Sequence, residues 1–278
     1  MKKGRRKPGL VVLEAAMALC ALVYIYPIIL VLYNSVKPFS EIMINVVTLP
    51  KKLALSNYAY VWRYINYPRL FLNNLTITVL GLAGIVFLSS IAAYALSRTK
   101  TRFSAFIYLF CIAPMLIPFQ TIMITLLKLA TLLGLANSDT GLAIQYWGFG
   151  APLSVFIFHS FVKTIPRELD QSAFLDGAST ARAFFSIIFP LLQPITATVI
   201  ILNVMYLWND FLLPLIMVNS SKMTMTLTLA IYTFMGQYTT DWQYAMATMV
   251  LAVGPSIIFF VMMQKKIVKS LASVALKG

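Results

Sequence analysis

The sequence predicts an all-α integral membrane protein with six transmembrane helices. Of its 278 residues, 60% are hydrophobic and only 11% are charged, and the mean hydropathy is +0.84. A soluble domain of this length has about a quarter of its residues charged. The long, unalternating apolar runs favour helices over a barrel, because backbone polar groups in lipid must be bonded within their own segment.

Six apolar segments reach the length of about 20 residues that a membrane span needs. The first run continues from Leu10 to about Val36, which is too long for a signal peptide, so we expect an uncleaved span. These spans form one transmembrane domain over residues 1–278. The predicted spans are about 11–36, 71–97, 105–129, 142–163, 191–217 and 244–264.

The distribution of Lys and Arg predicts that both termini are cytoplasmic. Fifteen of the 22 basic residues fall on the side of the termini, and seven fall on the other side. Five of those seven belong to the long 37–70 connection, where the positive-inside rule gives charges less weight. The count includes Lys2, Lys3, Arg5, Arg6, Lys7 and Lys277 on the inner side and Lys222 on the outer side.

The residue inventory excludes several classes of function. Cytoplasmic loops and anionic lipid account for the net charge of +14, so no nucleic-acid partner is expected. The single histidine, His159, rules out a multi-histidine metal cage, and Ser154 lies on another face of the same helix, which argues against a membrane serine protease. No GxxxxGK[ST] phosphate loop is present, so ATP hydrolysis by this chain is not expected.

The connection 164–190 predicts two short helices joined by a sharp turn. Pro166 suits a first helical turn, and acidic residues follow where the helix dipole favours anions, so a helix is expected from about Arg167 to Leu175. Gly177 is placed to end it in a left-handed cap, and Ser179 can cap a second helix that runs toward Pro190.

This connection resembles the coupling loop of importer permeases of the ATP-binding-cassette class. The family pattern is a glutamate, two alanines, three residues and a glycine, followed at a distance by a proline; the chain has Gln171 and Ser172 in place of the glutamate and the first alanine. The resemblance covers nearly the whole chain and is strongest with the smaller membrane subunit of carbohydrate-uptake systems, above all those for multiple sugars of the raffinose type. Further matching stretches are NYAYVW at Asn57, AAYALSR at Ala92, IPFQ at Ile117, LWNDFLLP at Leu207 and the closing VALKG.

The resemblance implies a type I importer permease fold whose first loop helix docks on a cytoplasmic ATPase. Glu168 or Asp170 could replace the charge contact that Gln171 cannot make. The implied partners are a homologous second permease, two ATPase subunits that hold ATP and Mg²⁺, and an extracellular solute-binding lipoprotein, all at a bacterial plasma membrane, with no cofactor bound by this chain. The implied docking residues are Glu168, Asp170, Gln171, Ser172, Ala173, Leu175, Asp176, Gly177 and Ala178.

Polar residues at membrane depth are candidates for the transport path. Asp210 is the only acidic residue deep within a span, and such a group usually faces a bundle interior or a water-filled cavity. Helical periodicity places it on one stripe with Thr196, Asn203, Tyr206 and Pro214. Packing between helices is the alternative role for Asp210. The full set of path candidates is Gln120, Gln145, Asn203, Tyr206, Asn209 and Asp210.

Other functions stay open as alternatives. An ion-coupled secondary transporter would show internal repeats and several intramembrane charges, and neither is present. A related importer could carry a non-sugar solute such as a polyol phosphate, although nearly neutral spans suit sugars better. The aromatic residues between Tyr58 and Tyr67 fit anchoring at the membrane interface, with ligand stacking as the alternative.

Overall fold

The computed structural model describes residues 8–218, 223–236 and 239–275. The basic residues Lys2, Lys3, Arg5, Arg6, Lys7, Lys222 and Lys277 therefore lie outside the described residues, as does the end of the VALKG stretch. Within the described part the chain is helical, and the predicted all-α fold class is confirmed. The helices are α1 (Pro8–Asn34), α2 (Phe39–Ile44), α3 (Ser56–Tyr64), α4 (Tyr67–Arg98), α5 (Arg102–Ile112), α6 (Phe119–Leu132), α7 (Asp139–Val162), α8 (Glu168–Leu175), α9 (Thr180–Ala183), α10 (Phe189–Leu191), α11 (Gln193–Asn209), α12 (Leu212–Met217), α13 (Leu227–Ala230) and α14 (Trp242–Ala275).

Four helical segments among the described residues are long and apolar enough to cross a membrane. They are Gly9–Asn34, Tyr67–Arg98, Asp139–Val162 and Trp242–Gln264. Two bent pairs also qualify, Arg102–Leu116 with Phe119–Leu132 and Thr180–Leu191 with Gln193–Asn209, which makes up to six spans if each pair is one span.

The third predicted span consists of two helical segments that meet at a sharp bend. The segments on either side of residues 117 and 118 meet at 105°. Pro118 has no N–H to donate and forces Ile117 into an extended conformation, with φ −94° and ψ 117°. A 3₁₀ turn over Ala113–Leu116, which includes Pro114, precedes the bend. Two prolines four residues apart therefore divide the apolar run into α5 and α6.

The fifth predicted span is also divided. Helix α11 ends at Asn209, and Asp210 is extended, with φ −65° and ψ 140°. A continuous helix would bring the Pro214 ring against the carbonyl of Asp210, so the chain breaks there and restarts as α12. The predicted stripe that placed Pro214 in line with Asp210 is therefore wrong, because it assumed an unbroken helix.

The chain divides into two compact units, each described by itself. The first comprises Met1–Tyr67 and Ala230–Ala252. In it the Asn57 side-chain amide donates to the carbonyls of Ser35 and Lys37, at 2.9 Å each, which fixes the start of α3. Tyr60 stacks on Tyr244, with ring centroids 4.3 Å apart, so aromatic residues of the 37–70 connection pack within this unit.

The second unit, Pro68–Leu229 with Val253–Gly278, contains the larger core. There α4 packs closely on α7, and the Trp147 indole N–H donates to the Leu80 carbonyl at 3.0 Å. Gly84 lies against the same indole ring, and a Cβ atom at this position would overlap the ring. Buried apolar residues from α4, α7 and α11 complete the core, including Ile85, Tyr146, Phe158 and Val199.

Candidate functional site

Helix α8 begins and ends close to the predicted residues. Glu168 and Asp170 occupy its first turn, where the helix dipole favours acidic groups. At its other end the Ala178 N–H donates to the Ala173 carbonyl at 2.9 Å, and the Gly177 N–H donates to the Phe174 carbonyl at 3.0 Å. These two hydrogen bonds form a Schellman cap, which needs the positive φ of +80° that Gly177 supplies. The predicted left-handed turn is confirmed.

The second helix of the loop follows this turn at once. The Ser179 hydroxyl accepts a hydrogen bond from the Arg182 N–H at 3.3 Å, so Ser179 caps α9 as predicted. A π turn over Phe184–Ile188 follows α9, and in it the Phe189 N–H donates to the Phe184 carbonyl. Helix α10 then carries the chain to Leu191, and a bend of 76° leads into α11.

The residues of the loop motif divide into an exposed and a buried set. Leu175 stands out, because 88% of its surface is exposed although it is apolar. Asp170 and Ala173 are buried on the opposite side, and Ala178 is half-buried. A helix with an exposed leucine and exposed polar groups presents a surface on which another protein can dock. The exposed members are Glu168, Gln171, Ser172, Leu175, Asp176 and Gly177.

Asp170 is bound inside this chain rather than presented on its surface. Its Oδ2 atom lies 2.8 Å from Nη2 of Arg98, the last residue of α4. Its Oδ1 atom accepts a hydrogen bond of 2.7 Å from the Tyr94 hydroxyl. The expectation that Asp170 could make a charge contact with a partner is therefore corrected, since its carboxylate is buried and paired. Glu168 is the exposed carboxylate of this helix.

Sequence reasoning missed the residues of α4 that hold the loop. Tyr94, Ser97 and Arg98 belong to the AAYALSR stretch, whose resemblance to the family does not reveal this role. The spacing of four residues between Tyr94 and Arg98 places both on one face of α4, and this signal was available. The pairing with Asp170 was not, because nothing in the sequence joins groups 76 positions apart.

Two clefts adjoin this loop. One, of about 730 Å³, is lined by basic residues that include Lys100, Lys163 and Arg167. The other, of about 540 Å³, lies between α4 and the two loop helices and is mostly apolar, with Phe174 and Phe184 in its wall. Arg98 lines both clefts.

Several path candidates pack within the second unit. The Asn203 side-chain amide donates to the Ser154 hydroxyl at 3.1 Å and to the Val199 carbonyl at 2.8 Å, and Asn203 is buried. Gln145 is also buried, and its amide donates to the Gly141 carbonyl at 3.4 Å. The bonds of these two residues are those of packing groups between and along helices.

Asp210 lies at the break between α11 and α12. Its Oδ2 atom accepts a hydrogen bond of 2.8 Å from the Tyr146 hydroxyl. Its Oδ1 atom accepts one of 3.2 Å from the N–H of Leu212, the first residue of α12. Tyr206 packs edge-on against Tyr146, with ring centroids 5.9 Å apart, and is itself exposed. The carboxylate therefore has a structural role at this break.

The remaining two path candidates, Asn209 and Gln120, have other surroundings. Asn209 is half-buried, and its Oδ1 atom accepts a hydrogen bond of 3.1 Å from the Ser256 hydroxyl on α14. Gln120 is exposed in the first turn of α6. His159 is buried and stacks on Tyr108, at 3.9 Å between ring centroids. Among the described residues no group of three or more His, Cys, Asp or Glu could hold a metal ion.

Comparisons with known proteins give relatives over nearly the full length. A probable starch degradation products transport system permease protein of Thermoanaerobacterium thermosulfurigenes is 40% identical, covering 92% of this chain and 93% of the relative. The melibiose/raffinose/stachyose import permease protein of Bacillus subtilis is 30% identical over 100% of both chains.

The fold also matches a solved transporter. A chain in the crystal structure of a bacterial ABC transporter involved in the import of the acidic polysaccharide alginate has a TM-score of 0.79. The match covers 95% of this chain and 99% of that one at 18% identity, so it supports the fold alone. Residues 85–273, which include α8 and the end of α4 that holds it, match the family of binding-protein-dependent transport system inner membrane components. This chain belongs to that family.

Proposed function

We propose that this chain is the permease subunit of an ATP-driven importer that carries oligosaccharides across a bacterial plasma membrane. The observation that carries the proposal is α8, a short helix with an exposed surface that is anchored to a membrane-spanning helix by Asp170. Such a helix can transmit the movement of a docked ATPase subunit to the membrane spans. Relatives named for starch degradation products and for raffinose, melibiose and stachyose support oligosaccharides as the cargo.

The energy for transport comes from partners in this proposal. The chain lacks the phosphate loop that ATP hydrolysis requires, so two ATPase subunits would hold ATP and Mg²⁺. A homologous second permease completes the path, and an extracellular lipoprotein delivers the sugar. The chain itself breaks no bond. Its task is alternating access, in which the path opens first to the outside and then to the cytoplasm.

The proposed ATPase-docking surface is the exposed side of α8 and the turn that follows it. Leu175 supplies an apolar anchor at the end of the helix, and Gln171 and Ser172 lie within one turn of it. Glu168 is the carboxylate available for a charge contact with a basic group of the ATPase. Gly177 fixes the angle between α8 and α9, so that the docked helix behaves as a rigid lever.

For the transport path we propose a smaller set than the sequence indicated. Tyr206 is exposed next to Asp210, and together they offer hydroxyl and carboxylate groups to a hydroxylated sugar. The hydrogen bonds of Asn203, Gln145 and Asn209 support packing roles for those three residues. Gln120 stays a candidate on α6.

The experiment that tests the function is uptake of labelled sugars by cells that lack this chain and by cells in which it is restored. The panel contains maltotriose, raffinose, melibiose, stachyose and glycerol phosphate. Restored uptake of one or more of the oligosaccharides supports the proposal and names the cargo. Restored uptake of glycerol phosphate alone would replace the sugar with a polyol phosphate, and no change for any compound would contradict the proposed cargo class.

A further inference from the structure

The last turn of α4 and the coupling loop (residues 164–190) are tied to each other from both sides. Arg98 donates from Nη1 to the Ile165 carbonyl at 3.2 Å, while its Nη2 atom pairs with Asp170. In the opposite direction, Arg167 donates from Nη2 to the Ser97 carbonyl at 3.0 Å. The Arg98 guanidinium, at the end of α4, therefore binds the coupling loop, and the Arg167 guanidinium, immediately before α8, binds α4.

Tyr94 extends this connection to the second loop helix. Its hydroxyl binds Asp170, and its ring packs on Phe184, with centroids 5.1 Å apart. Phe184 opens the π turn that follows α9. One side chain of α4 thus contacts both helices of the coupling loop. A displacement of either loop helix would have to displace Tyr94 or break its contacts.

The chemistry of the contact matters as much as its position. Asp170 is only 5% exposed, and the Arg98 side chain is 15% exposed. A buried ion pair is weak support for stability, since well-packed apolar residues often replace it without loss. Position is supplied by the short Arg98–Asp170 separation of 2.8 Å, and direction by the hydrogen bond that the Tyr94 hydroxyl donates to Asp170 at 2.7 Å, because a hydrogen bond demands one geometry where apolar contact allows sliding.

Covalent connection alone would join α8 to α7, through residues 163–167, and not to α4. We propose that the Arg98–Asp170 pair is the positioning link that makes α4 move together with α8 during the ATPase cycle. Arg98, Asp170 and Tyr94 are positioning residues in this inference, because they act through the helices and touch neither ATP nor sugar. The inference rests on the proposed function.

The decisive variant exchanges the pair for apolar residues, Arg98→Met with Asp170→Leu. This exchange fills the site without leaving a lone buried charge, so the complex should assemble at the wild-type yield. The assay uses the complete complex of both permeases, ATPases and binding protein in proteoliposomes and measures sugar transported per ATP hydrolysed. We expect this ratio to fall at least about fivefold, the lower end of typical coupling between sites.

A second pair of variants distinguishes loss of the Arg98–Asp170 contact from loss of a positive charge in general. Arg98→Gln removes the paired cation, and Arg102→Gln removes an exposed cation four residues further along the chain. We expect Arg98→Gln to lower the ratio of sugar to ATP and Arg102→Gln to leave it unchanged. A wild-type ratio in the assembled double variant, R98M with D170L, would overturn the inference. If the wild-type complex transports no oligosaccharide, the proposed function fails instead.

Discussion

The Tyr146 hydroxyl donates a hydrogen bond of 2.8 Å to Asp210, across the break between α11 and α12. The same carboxylate accepts a hydrogen bond from the Leu212 N–H at the start of α12. One side chain thereby joins α7, the end of α11 and the start of α12. A polar residue that the sequence marks as a path candidate is thus also a structural junction.

Removal of the Tyr146 hydroxyl tests this junction. We expect Tyr146→Phe to lower the free energy of unfolding by about 1–3 kcal/mol, because the carboxylate loses its donor. Thermal unfolding of the purified protein in detergent gives the measurement. Tyr206→Phe is the matched control, since no side-chain hydrogen bond of Tyr206 holds the break among the described contacts; an equal loss in both variants would contradict the assignment.

The left-handed conformation of Gly177 predicts the effect of side chains at that position. A β-branched residue at a φ of +80° costs about 1–2 kcal/mol, and we expect Gly177→Val to abolish transport while membrane insertion stays normal. Gly177→Asn is the control, because asparagine tolerates this conformation at a helix end. Uptake assays and membrane yields distinguish the variants. Wild-type uptake by Gly177→Val would refute the lever described for this turn.

The exposed leucine of α8 predicts a defect in assembly without a defect in folding. Leu175 is 88% exposed, so Leu175→Ser should leave the thermal stability of this chain unchanged. We expect it to weaken co-purification of the ATPase subunits, since an apolar anchor is lost from the proposed docking surface. Leu53→Ser changes a leucine that is 70% exposed in the 37–70 connection and should leave co-purification intact.

Close packing of α4 on α7 predicts that one glycine tolerates no methyl group. A Cβ atom at Gly84 would overlap the Trp147 ring, whereas nothing lies within 4 Å of the corresponding point at Gly148. Gly84→Ala should therefore reduce stability by about 1–3 kcal/mol, the usual cost of overpacking. Gly148→Ala should not reduce it. Thermal unfolding of the two variants gives the comparison, and equal midpoints would be the contrary result.

The proposed orientation predicts which side of the membrane each connection occupies. In a variant without Cys20 and Cys111, an impermeant maleimide added to intact cells should label Lys52→Cys and not Lys100→Cys. Both positions are exposed, so accessibility depends on the side of the membrane rather than on burial. Opening the cells should make Lys100→Cys reactive. The reverse labelling would invert the orientation.

Local signals in the sequence predicted the coupling loop well. The expected helix from Arg167 to Leu175 is found as Glu168–Leu175, and the cap at Ser179 and the turn at Gly177 are present. These features depend on neighbouring residues alone, through dipole, cap and backbone preference. A family resemblance added the fold, which composition alone does not specify.

Features that depend on distant residues were beyond local reasoning. Pro118 and Pro214 lie where the third and fifth spans are interrupted, and a proline is a usual cause of a kink but does not by itself determine the angle. The predicted stripe of polar residues through Asp210 assumed one continuous helix, and the break after Asn209 removes the alignment of Asp210 with Pro214. The pairing of Asp170 with Arg98 could not be predicted from local sequence, because α5, α6 and α7 lie between the two residues in the chain.

The separation of these partners has a consequence for biogenesis. Arg98, at the end of α4, leaves the ribosome before α5, α6 and α7, so its charge has no partner until Asp170 follows. The pair can form only if α7 has crossed in the direction that returns the chain to the side of Arg98. A nascent chain with one helix inserted the wrong way keeps both charges on opposite faces of the bilayer. The Arg98–Asp170 pair is therefore compatible with only one arrangement of the helices between its two members.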